Sequence, residues 1–238
     1  MGESFGRYSL GNDENVMPFI TSANVACGMH AGDPAVMRAT VRLAKQHEVA
    51  VGAHPSWPDL QGFGRREMTM APDEVEELIV YQLGALAAIA RVEGVRLRHV
   101  KAHGALYNQA AKDRGLAEAI ARAAASFDKE LIFVGLAGSE MITAARDVGL
   151  RAANEGFPDR RYNPDGTLVS RKQASAIIES PQVVAAQAVK LAKEGIDFAG
   201  HRVQVETLCL HGDNPRAAEN AKLVREALEK QRIEVHAL

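Results

Sequence analysis

Six short apolar runs, at residues 19–27, 49–53, 97–100, 131–136, 151–154 and 206–210, alternate with six stretches of helical periodicity, at 33–46, 73–93, 105–127, 139–148, 181–193 and 215–231. Strands separated by helices of this length are not joined by hairpins. A parallel pair needs a crossover of a dozen or more residues, and a helix is the usual form it takes. The order predicts an α/β fold on a mostly parallel sheet, closed as a barrel or left open. Asp33-Pro34 reads as an N-cap followed by a first-turn proline, and Pro181 and Pro215 open two further helices. With 238 residues and no linker, low-complexity tract or fixed-period repeat, residues 1–238 are expected to form a single β/α-barrel domain.

Parallel strands all point one way, so their C-terminal ends gather on one face, where such folds build their sites. Four histidines stand at such ends: His30 in ITSANVACGMHAGD, His54 in VAVGAHPSWPD, His103 in LRHVKAHGALYN and His211 in TLCLHGDNP. Asp33, Asp59, Lys101 and Asp213 are close to them in sequence. The pattern predicts one polar, His-rich site and therefore an enzyme. His47, His99, His201 and His236 have no such companions and read as surface or core residues.

Composition narrows the partners. A formal net charge of -2 without a Lys/Arg run gives no electrostatic footprint for nucleic acid. No stretch approaches the roughly 20 apolar residues that cross a bilayer, and the first residues lack a basic start and an apolar core, so a soluble, cytoplasmic protein is expected. Two cysteines, Cys27 and Cys209, are too few for a disulfide framework; they are buried strand residues or thiols lining the site.

Imidazole donates, accepts or ligates near neutral pH, so the cluster suits proton transfer or metal binding. His30 and His54 with one acid could supply the three protein ligands of a catalytic divalent metal, although no compact motif such as H-E-x-x-H is present. Lys101 and His103, two apart on a strand, share one side of it, where the lysine could hold an anion or run its stem along the rim. His211-Gly-Asp-Asn precedes a helix, so Asp213 either caps it or joins the site. Two Gly/Pro-rich loops, 55–68 and 155–173, follow the expected strand ends, and Arg160, Arg161 and Arg171 are candidate carboxylate or phosphate binders or solvated charges. Asn24 and Gly28 on the His30 run are weaker candidates.

The segments ANVACGMHAGD, VAVGAHPSWPD, GFGRREM, YQLGALAAIA, HVKAHGALYNQAA, VGLAGSE, EGFPDRRYNPDGTLVSR and TLCLHGDNP together resemble the LamB/YcsF family over nearly the whole chain, in the family's order. The resemblance implies a distorted, seven-stranded (β/α) barrel similar to polysaccharide deacetylases. It also implies the ATP-dependent opening of the cyclic amide 5-oxo-L-proline to L-glutamate, together with 5-oxoprolinase subunits B and C. The family's opening strand, D-L-N-A-D-L-G-E-S, is missing before Met1-Gly2-Glu3-Ser4, and its K-P-H-G is Lys101-Ala102-His103-Gly104 here.

On that reading His54 and His103 act as base and acid, and Lys101 and Arg66 meet the anionic groups. His30 with Asp33 orients them or ligates a metal, with His30 and His54 as the metal candidates and Asp33 counted among the catalytic residues. Asn24, Tyr107, Arg161, His211 and Asp213 complete the expected substrate contacts. No G-x-x-x-x-G-K-[ST] loop occurs, so ATP must be handled by another kind of site or by the partners. Two other readings compete: a stand-alone metal-dependent deacetylase or amidohydrolase, and a non-catalytic subunit that only binds 5-oxoproline.

Overall fold

The computed structural model describes residues 1–171 and 173–238. In chain order its elements are α1 (Asp13–Val16), β1 (Ser22–Ala26), α2 (Pro34–Gln46), β2 (Ala50–His54), α3 (Pro72–Val92), β3 (His99–Val100), α4 (Gly104–Ala110), α5 (Arg114–Phe127), β4 (Ile132–Leu136) and α6 (Glu140–Asp147). There follow β5 (Ala152–Gly156), α7 (Pro181–Glu194), β6 (Ile196–Phe198), β7 (His201–Val203), β8 (Thr207–Leu208) and α8 (Ala217–Lys230). All six apolar runs contain a strand.

Six strands pair in the order β1-β2-β3-β4-β5-β8, every pair parallel, and curl into a distorted β/α half-barrel open between β1 and β8. The seventh strand that the resemblance implies is not among the described residues. Instead, the Met1 amino group donates to the Asn24 carbonyl at 3.0 Å, and the Ala26 amide donates to the Met1 carbonyl at 3.1 Å. The first residues therefore run beside the free edge of β1, which brings Glu3 to the C-terminal end of the sheet.

Two elements differ from the sequence expectation. The single helix expected over 105–127 is two, α4 and α5, because Asp113 leaves the helical conformation and its carboxylate accepts from the Leu116 amide at 3.0 Å, capping a new helix. The antiparallel hairpin β6–β7 turns on Ala199 and Gly200, both at positive φ, the requirement of a two-residue hairpin turn.

The main core lies where Val25, Val51, Val100 and Phe133 of the sheet meet Val41, Ile79, Leu83, Ile120 and Met141 of the surrounding helices. Ile79, Leu83 and Leu86 lie four and three apart along one face of α3 and are fully buried, each stabilising the fold by about 1.5–3 kcal/mol. A second cluster joins Val184 and Ala188 of α7 to Val224 and Leu228 of α8. Among the described residues no helix is long and apolar enough to cross a membrane.

Candidate active site

His54 is the last residue of β2, His103 follows β3 as the N-cap of α4, His30 sits in the turn after β1, and His211 follows β8. The shared polarity of the strands brings the first three together. His30 and His103 stack with ring centroids 3.8 Å apart and 6° between planes, and His54 meets His103 edge-on at 4.8 Å. His211 lies across the same cavity, stacked on Phe157 at 5.8 Å.

The hydrogen bonds fix the tautomers, because a carbonyl can only accept. His54 Nδ1 donates to the Lys101 carbonyl at 2.7 Å and His103 Nε2 to the Phe63 carbonyl at 2.9 Å. The two remaining nitrogens, His54 Nε2 and His103 Nδ1, face each other at 3.0 Å. Burial, followed by the charge of neighbouring His103, holds His54 well below its ordinary pKa. Burial also lowers His103 to about 3, so both rings are neutral and two lone pairs point at one spot. That spot accepts one proton or one cation.

Glu3 converges on the same point: its carboxylate and the ligand atoms of His54 and His103 all lie within 4.8 Å of one another. Metal-ligating histidines typically donate their outer N–H to a carbonyl, as both do here. The donor set therefore fits a divalent cation, with Glu3 and His103 beside His54 in place of His30. His30 Nδ1 is 2.9 Å from the Ser56 hydroxyl, which itself donates to the Trp57 carbonyl. The ring backs His103 from beneath the surface and does not line the cavity.

The loop after β2 clasps His103. Buried Asp59 accepts from the Gly62 amide at 2.9 Å and from Arg66 Nε at 2.8 Å, and Arg66 holds the carboxyl below its usual range. This fold of the loop places Gly64, at φ +65, where an added Cβ would lie 2.8 Å from the His103 ring; Gly104, at φ +62, would clash with the Gly64 carbonyl at 2.4 Å.

A second buried group fills the cavity's floor. Lys101 Nζ is 2.6 Å from Glu155 Oε1 and 2.9 Å from Cys209 Sγ, and Tyr107 donates to Glu155 Oε2 at 2.8 Å. Burial alone would lower the lysine pKa, but the hydrogen bond to the Cys209 sulfur and the charge of the Glu155 carboxylate outweigh it and keep Lys101 charged. Burial pushes the Cys209 thiol up to about 12, with Lys101 opposing. Beneath this group His99 Nε2 donates to Asn24 Oδ1 at 3.0 Å.

The cavity, about 1140 Å³, is lined among others by Asn24, His54, Arg66, Lys101, His103, Tyr107, His211 and Asp213, whereas Asp33 and Arg161 stand outside it. Asp33 caps α2, accepting from the Ala35 and Val36 amides at 2.8 and 3.0 Å and from Gly6 at 2.6 Å. Arg161 is exposed, and its neighbour Arg160 turns inward. Arg66 has a side chain 60% exposed and is paired with Asp59. Asp213 is the counter-ion of Arg65 and, at 3.7 Å, of Arg171; His211 Nδ1 bonds Asp159 at 2.8 Å. Glu3, Arg65 and Glu155 escaped the sequence reading, and Arg160, one of its candidate anion binders, lines the cavity. The strand-end rule extended by one residue would have found Glu155; nothing in the sequence singles out the other two.

The profile of the LamB/YcsF family matches residues 1–238. A protein of Pyrococcus furiosus named as the A subunit of 5-oxoprolinase is 52% identical over 239 residues, 99% of this chain and 94% of its own. Its namesake from Methylococcus capsulatus is 53% identical over 242 residues, 100% of this chain and 93% of its own. Among solved structures, the lactam utilization protein of Thermus thermophilus superposes with a TM-score of 0.92 at 45% identity, covering 100% of this chain and 97% of its own. A structure from Enterococcus faecalis, 14% identical with a TM-score of 0.54 over 94% of this chain and 91% of its own, shares the fold alone.

Proposed function

As the chain belongs to the LamB/YcsF family, we propose that it is the A subunit of an ATP-dependent 5-oxoprolinase, opening 5-oxo-L-proline to L-glutamate with subunits B and C. The observation that supports this chemistry most directly is the pair of neutral imidazoles whose free nitrogens meet at 3.0 Å.

A five-membered lactam resists water because its nitrogen donates into the carbonyl. Transfer of a phosphoryl group from ATP to the lactam oxygen makes the ring carbon electrophilic. Water then adds to that carbon, its proton passes to a base, the C–N bond breaks as the ring nitrogen takes up a proton, and a second water releases inorganic phosphate from the resulting acyl phosphate to leave L-glutamate. His54 Nε2 or His103 Nδ1 serves as base and, once protonated, as acid; a positioned pair of this kind contributes about 10²–10⁴-fold. Lys101, held charged between Glu155 and Cys209, presents a fixed positive potential to the oxygen on which negative charge develops. Asn24 and Tyr107 line the same cavity, and the clasp of the 55–68 loop holds His103 still. As an alternative use of the same two lone pairs, Glu3, His54 and His103 would hold a divalent cation, which when bound would supply Lewis acidity in place of proton transfer by the imidazoles.

The test is reconstitution. Subunits B and C with this chain should form L-glutamate from 5-oxoproline and ATP, and omission of the chain should abolish it. Glutamate formation that does not need the chain would refute the proposal. The Glu3, His54 and His103 donor set favours a second reading, a stand-alone metal-dependent amidohydrolase. Chelator-sensitive deacetylation of an N-acetylated sugar by the chain alone, without ATP, would select it.

A further inference from the structure

Lys101 is committed to Glu155 and Arg66 to Asp59, so the carboxylate that separates 5-oxoproline from a neutral lactam needs another partner. We propose that Arg65, Arg160 and Arg171 form the subsite that binds this carboxylate, an inference that rests on the 5-oxoproline reading above. The three guanidinium groups arrive from two loops, one after β2 and one after β5, and all three residues line the cavity that holds His54 and His103.

Their environment suits an anion. Arg160 is 4% exposed; its Nη2 donates to the Val169 carbonyl at 2.6 Å, while its buried Nε has no acceptor among the described residues. Arg65 and Arg171 share a single counter-ion, Asp213, the second at 3.7 Å. Asp159, the other nearby acid, is bonded to His211. Burial and then mutual repulsion lower Arg160 to about 10, and Arg171 is lowered by burial and by Arg65. Three guanidinium groups against two carboxylates leave one positive charge. One carboxylate balances it, with the planar fork geometry that arginine matches. A doubly charged phosphoryl group would overshoot it.

The site also has the right neighbours. The Arg65 guanidinium lies over the Phe63 ring, 4.9 Å from its centroid, and that ring meets His103 edge-on at 5.2 Å, so the carboxylate end of a bound lactam would lie beside the imidazoles rather than in a separate chamber.

The experiment uses the complex with subunits B and C and the variants Arg171→Gln and Arg160→Lys, the latter conservative because Arg160 is buried. The KM for 5-oxoproline should rise about 10–100-fold in Arg171→Gln, the loss expected for one charged hydrogen-bonding partner, while the KM for ATP stays put. Arg160→Lys should raise it as well, with an unchanged melting temperature showing that the fold is intact. An unchanged KM for 5-oxoproline in the folded variants overturns the assignment, and a rise confined to the KM for ATP gives the site to the phosphoryl group instead. Equilibrium binding of 5-oxoproline and of neutral 2-pyrrolidone to the chain alone separates this inference from the parent reading. Wild type should prefer the acid and Arg171→Gln should lose that preference whatever the turnover; no preference in wild type overturns the subsite.

Discussion

Replacing Lys101 with Met removes the Nζ that lies 2.6 Å from Glu155 and leaves a carboxylate, 2% exposed, with the Tyr107 hydroxyl as its remaining bond. Breaking a buried pair from one side costs about 3–5 kcal/mol, because the partner is stranded rather than because the pair was worth that much. In a chain of this size that is a fall in Tm of about 6–20 °C. Adding Glu155→Gln removes the charge at its source, and the double variant should be more stable than Lys101→Met alone by about 2 kcal/mol or more. Urea unfolding of the wild type, both single variants and the double gives the complete cycle. A Lys101→Met protein within 1 kcal/mol of wild type, or a double variant no better than the sum of the singles, would show that losing Lys101 does not strand Glu155. The refolded double variant then separates packing from chemistry. If stability returns and turnover does not, the Lys101 charge is used in the reaction.

Other consequences are narrower. Burial, assisted by Lys101, lowers His99 from 6.5 to about 3, so below pH 6.5 the unfolded chain binds a proton that the folded one refuses. Stability is therefore full above pH 6.5 and falls toward pH 3, and His99→Gln should flatten the pH 6 to pH 5 slope of the unfolding free energy by about 1 kcal/mol, whereas an unchanged slope would contradict the burial argument. The Cys209 thiol, pushed up to about 12 and buried, should resist iodoacetamide at pH 8 until the chain unfolds; rapid alkylation of the native protein would show an open floor. Gly104→Ala puts a methyl 2.4 Å from the Gly64 carbonyl at a φ of +62, so it should destabilise by about 1–3 kcal/mol and cost more in turnover than its stability loss explains, since His103 is the preceding residue.

What the sequence made legible was direction; what it hid was choice among neighbours. Strand ends point one way whatever the tertiary detail, so His54 and His103 could be placed together from the chain alone. The partner of Lys101 could not, because Glu155 lies two strands away on β5, beyond the apolar run that signals the strand. Consecutive arginines show the same limit. The positive φ values of Phe63 and Gly64 decide that Arg66 folds back on Asp59 while Arg65 reaches Asp213, and no pattern of residue types specifies that. Arg160 and Arg161 divide likewise, the first inward and the second to solvent. Asp33 was legible twice, as a helix cap and as an acid near His30; the structure uses the cap, with three amides on its carboxylate. Glu3 reaches the histidines because Met1 pairs along β1, a long-range contact invisible to local periodicity.

Moving the protons of lactam opening is the role proposed for the facing nitrogens of His54 and His103. It is tested by L-glutamate formation in the complex reconstituted with His54→Ala or His103→Ala. Both variants should still assemble and bind 5-oxoproline while glutamate formation drops about 100-fold or more. Turnover at the wild-type rate in either would contradict the account.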